Sequence, residues 1–191
     1  MCQLIYKSPK ANDAFFSLSD SDKERVIKEI VTWSETIIEF VSSGYYVSST
    51  RDLVRYFLNR MNITVPKSFV EGICDGDIVE LYNSDSTRLF FTPDLFAYSS
   101  YDPEEMYVLP WWKLYGRDDD ISQEILKNVN LVCSGSVKEP YKPSIRNHVV
   151  QEVSSEHKFR AQMEFKLFSP FYAGGNLLGI ASLSRLKLLN G

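Results

Sequence analysis

The sequence predicts an α+β protein: a helical region over residues 1–76, then an antiparallel sheet with short helices over residues 77–191. Three observations predict it. Apolar residues recur at helical spacing between Val26 and Val41. From Asp77 the period changes, and DIVELYN and TRLFFT read as strands. Further on, KFRAQMEFKLFSPF alternates Phe159, Ala161, Met163, Phe165 and Leu167 with Arg160, Gln162, Glu164 and Lys166.

In the helical region, Ser21 and Glu24 form a capping-box pair ahead of KERVIKEIVTWSETIIEFVSSG, and Gly44 ends that helix. Its stripe contains Val26, Ile30, Trp33, Ile37 and Phe40, widened by Ile27, Val31, Ile38 and Val41. A stripe this wide wants a partner surface on more than one side. A second helix starts near Ser49 or Thr50, with Leu53, Val54, Phe57, Leu58 and Met61 as its apolar face. Pro66 suits the first turn of a third, PKSFVEGIC, stopped by Gly76.

In the second region, Ser84-Asp85-Ser86 joins the first two strands as a hairpin. Asp102-Pro103-Glu104-Glu105 starts one short helix and Pro110 another. Asp118, Asp119 and Asp120 put negative charge at the N-terminus of ISQEILKNVNLVCSG, whose buried face is Ile121, Ile125, Val129 and Val132. A cap accounts for these three carboxylates without any metal ion. Strands IRNHVVQEV, KFRAQMEFKLFSPF and NLLGIASLSRL follow, the last two joined through Gly174-Gly175. A polar face is expected opposite the buried one. The two glycines lead into a strand, whereas a phosphate loop leads into a helix, so they read as a turn.

Composition restricts the function classes. The 44% hydrophobic and 14% aromatic content is ample for a core. With 21 basic against 25 acidic residues, net −4, the chain does not read as a general phosphate neutraliser. Cys2, Cys74 and Cys133 are far apart and lack metal spacing, which reads as reduced, buried structural thiols in the cytoplasm. MCQLIYKSPKAND lacks the apolar core of a secretory signal, and no apolar run approaches the ~20 residues of a membrane helix. His148 and His157, remote from the cysteines, read as ordinary histidines. No nucleophile elbow, phosphate-loop motif or recognisable acid pair occurs, so a non-enzymatic protein is expected.

The order hairpin, short helices, longer helix, three antiparallel strands resembles a PAS domain over residues 77 to about 187. YSSYDPEEM looks like the turn and helix after the first PAS hairpin. LPWWKLYGRDDD looks like the next short helix, and GGNLLGIASLSRL is similar to the closing hairpin. The resemblance implies a five-stranded antiparallel sheet with helices folded over one face. It also implies a sensory or signalling role, with a small molecule or cofactor in the cavity or with dimerisation. Neither histidine falls on a helix, where a PAS haem ligand would lie, and the cysteine motif of flavin-binding PAS domains is missing; the cofactor stays unassigned. The densest aromatic group includes Tyr98, Trp111, Trp112 and Tyr115. With Met163 and Phe165 from the inner strand face, these are the candidate ligand-binding residues, set against ordinary core packing. Arg146 and Arg160 read as solvent-facing. The N-terminal helices are the candidate homodimer or output element, and any signal is expected to leave through them or the domain surface.

Two rival readings stand beside this one. Residues 50–92 also read as helix, turn, helix and two-stranded wing, the plan of a winged-helix transcriptional regulator that binds DNA. Residues 1–75 carry nine basic and ten acidic residues, a net of −1 that gives this reading little electrostatic support. The third reading is an interaction module with a filled PAS-like core and no ligand.

Overall fold

The computed structural model describes residues 9–153 and 159–189. The helices are α1 (Pro9–Ser17), α2 (Asp20–Ser42), α3 (Thr50–Arg60), α4 (Lys67–Glu71), α5 (Pro103–Val108), α6 (Trp111–Leu114) and α7 (Asp119–Cys133). The strands are β1 (Ile63–Thr64), β2 (Ile78–Asn83), β3 (Arg88–Phe91), β4 (Tyr115–Gly116), β5 (His148–Glu152), β6 (Arg160–Ala173) and β7 (Asn176–Leu188). The fold is α+β. All strand pairs are antiparallel, in the order β3-β2-β7-β6-β5-β4, with β1 on β6. The sheet therefore has seven strands and not the five expected. The two additions, β1 and β4, are two residues each and came without an alternating run to announce them.

The register follows from close backbone approach at the sheet centre. A Cβ on Gly179 would stand 2.0 Å from the Tyr82 carbonyl oxygen, so only glycine lets β7 lie against β2 there. The β6–β7 turn uses Gly174 and Gly175 at φ of +55° and +82°, backbone that side chains rarely adopt. Asp77, fully buried just ahead of β2, accepts from the Cys74 N–H (2.9 Å), Lys166 Nζ (2.5 Å) and Arg185 Nε (2.9 Å), tying β2 to β6 and β7.

Both faces of the sheet are covered around its centre, which corrects the expectation of one polar face. Val79, Leu81, Phe171, Ala181 and Leu183 are buried on the face opposite Glu80, Phe165 and Ser182. The N-terminal helices supply the cover: Phe57 of α3 stacks on Phe90, the cross-strand partner of Leu81, at 4.1 Å between ring centroids. Leu167, expected on the inner face, is displaced by a register shift between Phe165 and Leu167. It lies against Gly72 beyond α4, and Phe168 takes the inward position. The polar alternation survives at Arg160 and Gln162, and Phe159 is exposed beside them.

α2 protects the sheet edge. β3 ends the strand order, and Trp33 stacks on Phe91 at 5.0 Å while its Nε1 donates to the Phe91 carbonyl at 2.8 Å. Val26, Ile30, Trp33 and Phe40 are buried in one core shared with the sheet; Ile27, Val31, Ile38 and Val41 are exposed. The helix starts one turn fraction earlier than expected because Ser19, not Ser21, accepts the Asp22 N–H. Met61, expected on the apolar face of α3, is its exposed C-cap. α4 stops at Glu71, short of Gly76, where Arg51 Nη2 and Nε reach the Glu71 and Ile73 carbonyls at 3.1 and 3.0 Å.

The segment that resembles a winged helix is built into this architecture. Its hairpin, β2–β3, is paired along its inner side with β7. Its cations are engaged: Arg55 with Asp52, Arg60 with Glu35 and Glu39, Lys67 with Glu71, Arg88 with Glu80, and Arg51 with backbone carbonyls.

Candidate ligand cavity

Between the inner sheet face and α6–α7 lies a narrow, mainly apolar cavity. Its volume is about 70 Å³. β6 contributes Met163, Phe165 and Phe168; β7 contributes Ile180, Ser182 and Leu186; β5 contributes Val150. Trp111, Tyr115, Ile125 and Val129 close the opposite side. The chain places them by ordinary means. Pro110 precedes α6 and presents Trp111, Asp102 and Glu105 cap α5 through a 2.8 Å bond from the Asp102 N–H, and Asp118 starts α7.

Of the six candidate residues, the structure brings Trp111, Tyr115, Met163 and Phe165 to the cavity lining. Tyr98 ends a 3-10 turn over Pro93–Ala97 and packs partly buried against the core without lining the cavity. Trp112 is 53% exposed, edge-on to Trp111 at 5.6 Å, because successive helix positions point 100° apart. Tyr115 donates to Ser99 Oγ at 2.9 Å, and burial pushes its phenol well above the ordinary value. Ser99 and Ser100 are held by buried Glu152 of β5, whose oxygens accept from both hydroxyls at 3.0 and 2.8 Å.

The sequence reading missed the polar wall. Arg88, buried in β3, donates to Glu80 Oε1 (3.0 Å) and Tyr82 Oη (2.5 Å), and also reaches the Met106 carbonyl. Tyr82 donates to Glu80 at 2.7 Å. Burial drives the Tyr82 phenol far above its ordinary value and keeps it neutral. Burial also works against the Arg88 charge, but Tyr82 and Glu80 more than offset it and hold the guanidinium protonated. Arg117 follows β4, lines the same cavity and lies with its guanidinium carbon 4.9 Å from the Trp111 ring centroid. A signal was present: Glu80 in DIVELYN and Arg88 in TRLFFT are opposite charges inside apolar strands, which a buried pair explains.

The remaining candidates have ordinary settings. His148 is buried in β5, with Nδ1 3.1 Å from the Arg146 carbonyl; burial lowers its pKa. His157 and Cys2 lie outside the described residues. Cys74, expected buried, is exposed because its turn after α4 directs its N–H, not its thiol, inward to Asp77. Cys133 is partly buried, and burial raises its thiol pKa. Arg146 bridges Asp118 and Asp120 at 3.3 and 2.9 Å, and Arg160 is exposed. Among the described residues there is no metal-competent cluster of three His, Cys, Asp or Glu, and no helix is long and apolar enough to cross a membrane. Comparisons with protein families, curated proteins and solved structures find no match.

Proposed function

We propose that this protein is a non-enzymatic sensory or signalling protein of the cytoplasm, whose PAS-like region binds a small molecule between its sheet and α6–α7. One observation carries the reading: an apolar cavity whose wall contains a built polar group, Arg88–Glu80–Tyr82, beside aromatic side chains. Supporting it, residues 78–188 run as hairpin, short helices, one longer helix and three antiparallel strands, the element order on which the resemblance rests.

Native mass spectrometry of the purified protein, with its absorbance spectrum, tests this. A retained small molecule that is lost when Val150→Trp fills the cavity is the expected result. Retention unaffected by Val150→Trp, or a protein that neither retains nor takes up any small molecule, would remove the sensor role and leave an interaction module.

Dimerisation through the N-terminal helices is the second part of the reading. Ile27, Val31, Ile38 and Val41 run along one exposed side of α2, a row with no function in the described fold. A second copy of the chain is the assigned partner. Light scattering at micromolar concentration should report a dimer that Ile38→Glu dissociates; a monomer at that concentration counts against it.

A further inference from the structure

We propose that the cavity takes a small carboxylate with an apolar body, and that Arg117 anchors its charge. This inference rests on the ligand-binding reading above and names the class of ligand.

The argument is a charge balance. Three acidic or basic side chains line the cavity: Glu80, Arg88 and Arg117. Glu80 and Arg88 neutralise each other at 3.0 Å, and Tyr82 donates its hydroxyl to the same Glu80 oxygen. Arg117 is left over. Its Nε is buried without a hydrogen-bond partner, and among the described residues it has no ion pair. The contact it does make is with the Trp111 ring, which favours a cation but neutralises nothing. A half-buried guanidinium that faces a largely apolar space without a counter-ion is costly, and an entering anion relieves that cost.

The geometry of the wall narrows the anion. A guanidinium presents paired N–H donors in a plane that matches a carboxylate. Most of the remaining lining is apolar, Trp111, Phe165, Phe168, Ile180 and Leu186 among it, and suits a hydrocarbon or aryl body. The narrow space limits that body to about one ring or a short branched chain. Burial also disfavours the Arg117 charge, a cost that an anion beside it offsets.

Isothermal titration calorimetry of the full chain near neutral pH, with sodium benzoate and its neutral counterpart benzamide, tests this. Benzoate should bind; benzamide should bind at least about 10-fold more weakly; and Arg117→Gln should remove that preference by weakening benzoate about 10-fold or more. Arg117→Lys, which keeps the charge, should restore part of the benzoate affinity. Arg117 holds no described hydrogen bond, so Arg117→Gln should melt within a few degrees of the parent, and a shift in Trp fluorescence on adding benzoate gives a second readout. If benzoate and benzamide bind alike and Arg117→Gln alters neither, the charge assignment is overturned while the cavity reading survives. If neither compound binds and no retained molecule is seen, both are overturned.

Discussion

Two carboxylates, one buried and one half-buried, show how differently acidic residues are used. Asp77 is surrounded by Lys166, Arg185 and the Cys74 N–H, so its charge is matched on every side that the fold offers. Asp77→Asn keeps the shape and removes the charge, leaving two cations without their anion. It should cost on the order of 3 kcal/mol in urea unfolding, and a loss under about 0.5 kcal/mol would show that the clamp does not hold the strands. Glu29 on α2 is the opposite case. Burial pushes its pKa up to about 7, against the pull of Arg25, 3.6 Å away, and one of its oxygens is buried without a hydrogen bond. Because its folded pKa is raised, the folded protein holds this proton longer than the unfolded chain. Its contribution to stability is full below about pH 4.5 and is lost as pH rises through about 7. Glu29→Gln should therefore melt like the parent in acid and be more stable at about pH 8, by roughly 1–3 kcal/mol. Thermal melts across that range decide it: an unchanged difference between the two proteins would show that Glu29 is not protonated in the folded state.

At the scale of elements, strand alternation was the most legible feature. Ala161, Met163 and Phe165 are buried while Arg160 and Gln162 are exposed, as the period of two in the sequence requires. Met163→Lys places a charge among apolar cavity walls and should cost more than about 2 kcal/mol. Gln162→Lys should cost less than about 1 kcal/mol even with Lys187 directly opposite on β7. Equal melting temperatures for the two variants would mean that the inner face of β6 is misassigned. Alternation failed after Phe165, where the register shift puts Phe168 inward; an insertion of this kind depends on the partner strand, and no local pattern reports it. Short elements were missed for a related reason. β1 and β4 exist because β6 and β5 offer free hydrogen-bonding edges to whichever chain passes, and two-residue segments are too short to show an alternation.

The whole molecule does not divide where its periodicity does. The helical stripe of α2 and the face of α3 are buried against each other, α5 and the sheet, in a single core that runs from Ala11 to Leu186. Leu81, Phe90, Phe171 and Leu183 depend on that cover. Residues 77–191 expressed without the N-terminal helices should accordingly give no cooperative melt and should aggregate, because a sheet face that is buried in the full chain becomes a large exposed apolar patch. A soluble fragment with a cooperative transition would establish the two regions as independent.

By itself the sequence determined the α+β class, the change of period near Asp77 and the positions of the longer helices and strands, and four of the six residues it singled out line the cavity. These are local properties, written in spacing, caps and turn residues. Only the tertiary structure decided that both sheet faces are covered, that Trp112 turns outward and Trp111 inward, and that Glu80, Tyr82 and Arg88 make one polar wall with Arg117 unmatched beside it. Burial and charge pairing depend on which distant segments meet, and residues 29 positions apart, such as Arg88 and Arg117, come to line one cavity only when the sheet and the helices close on the same space.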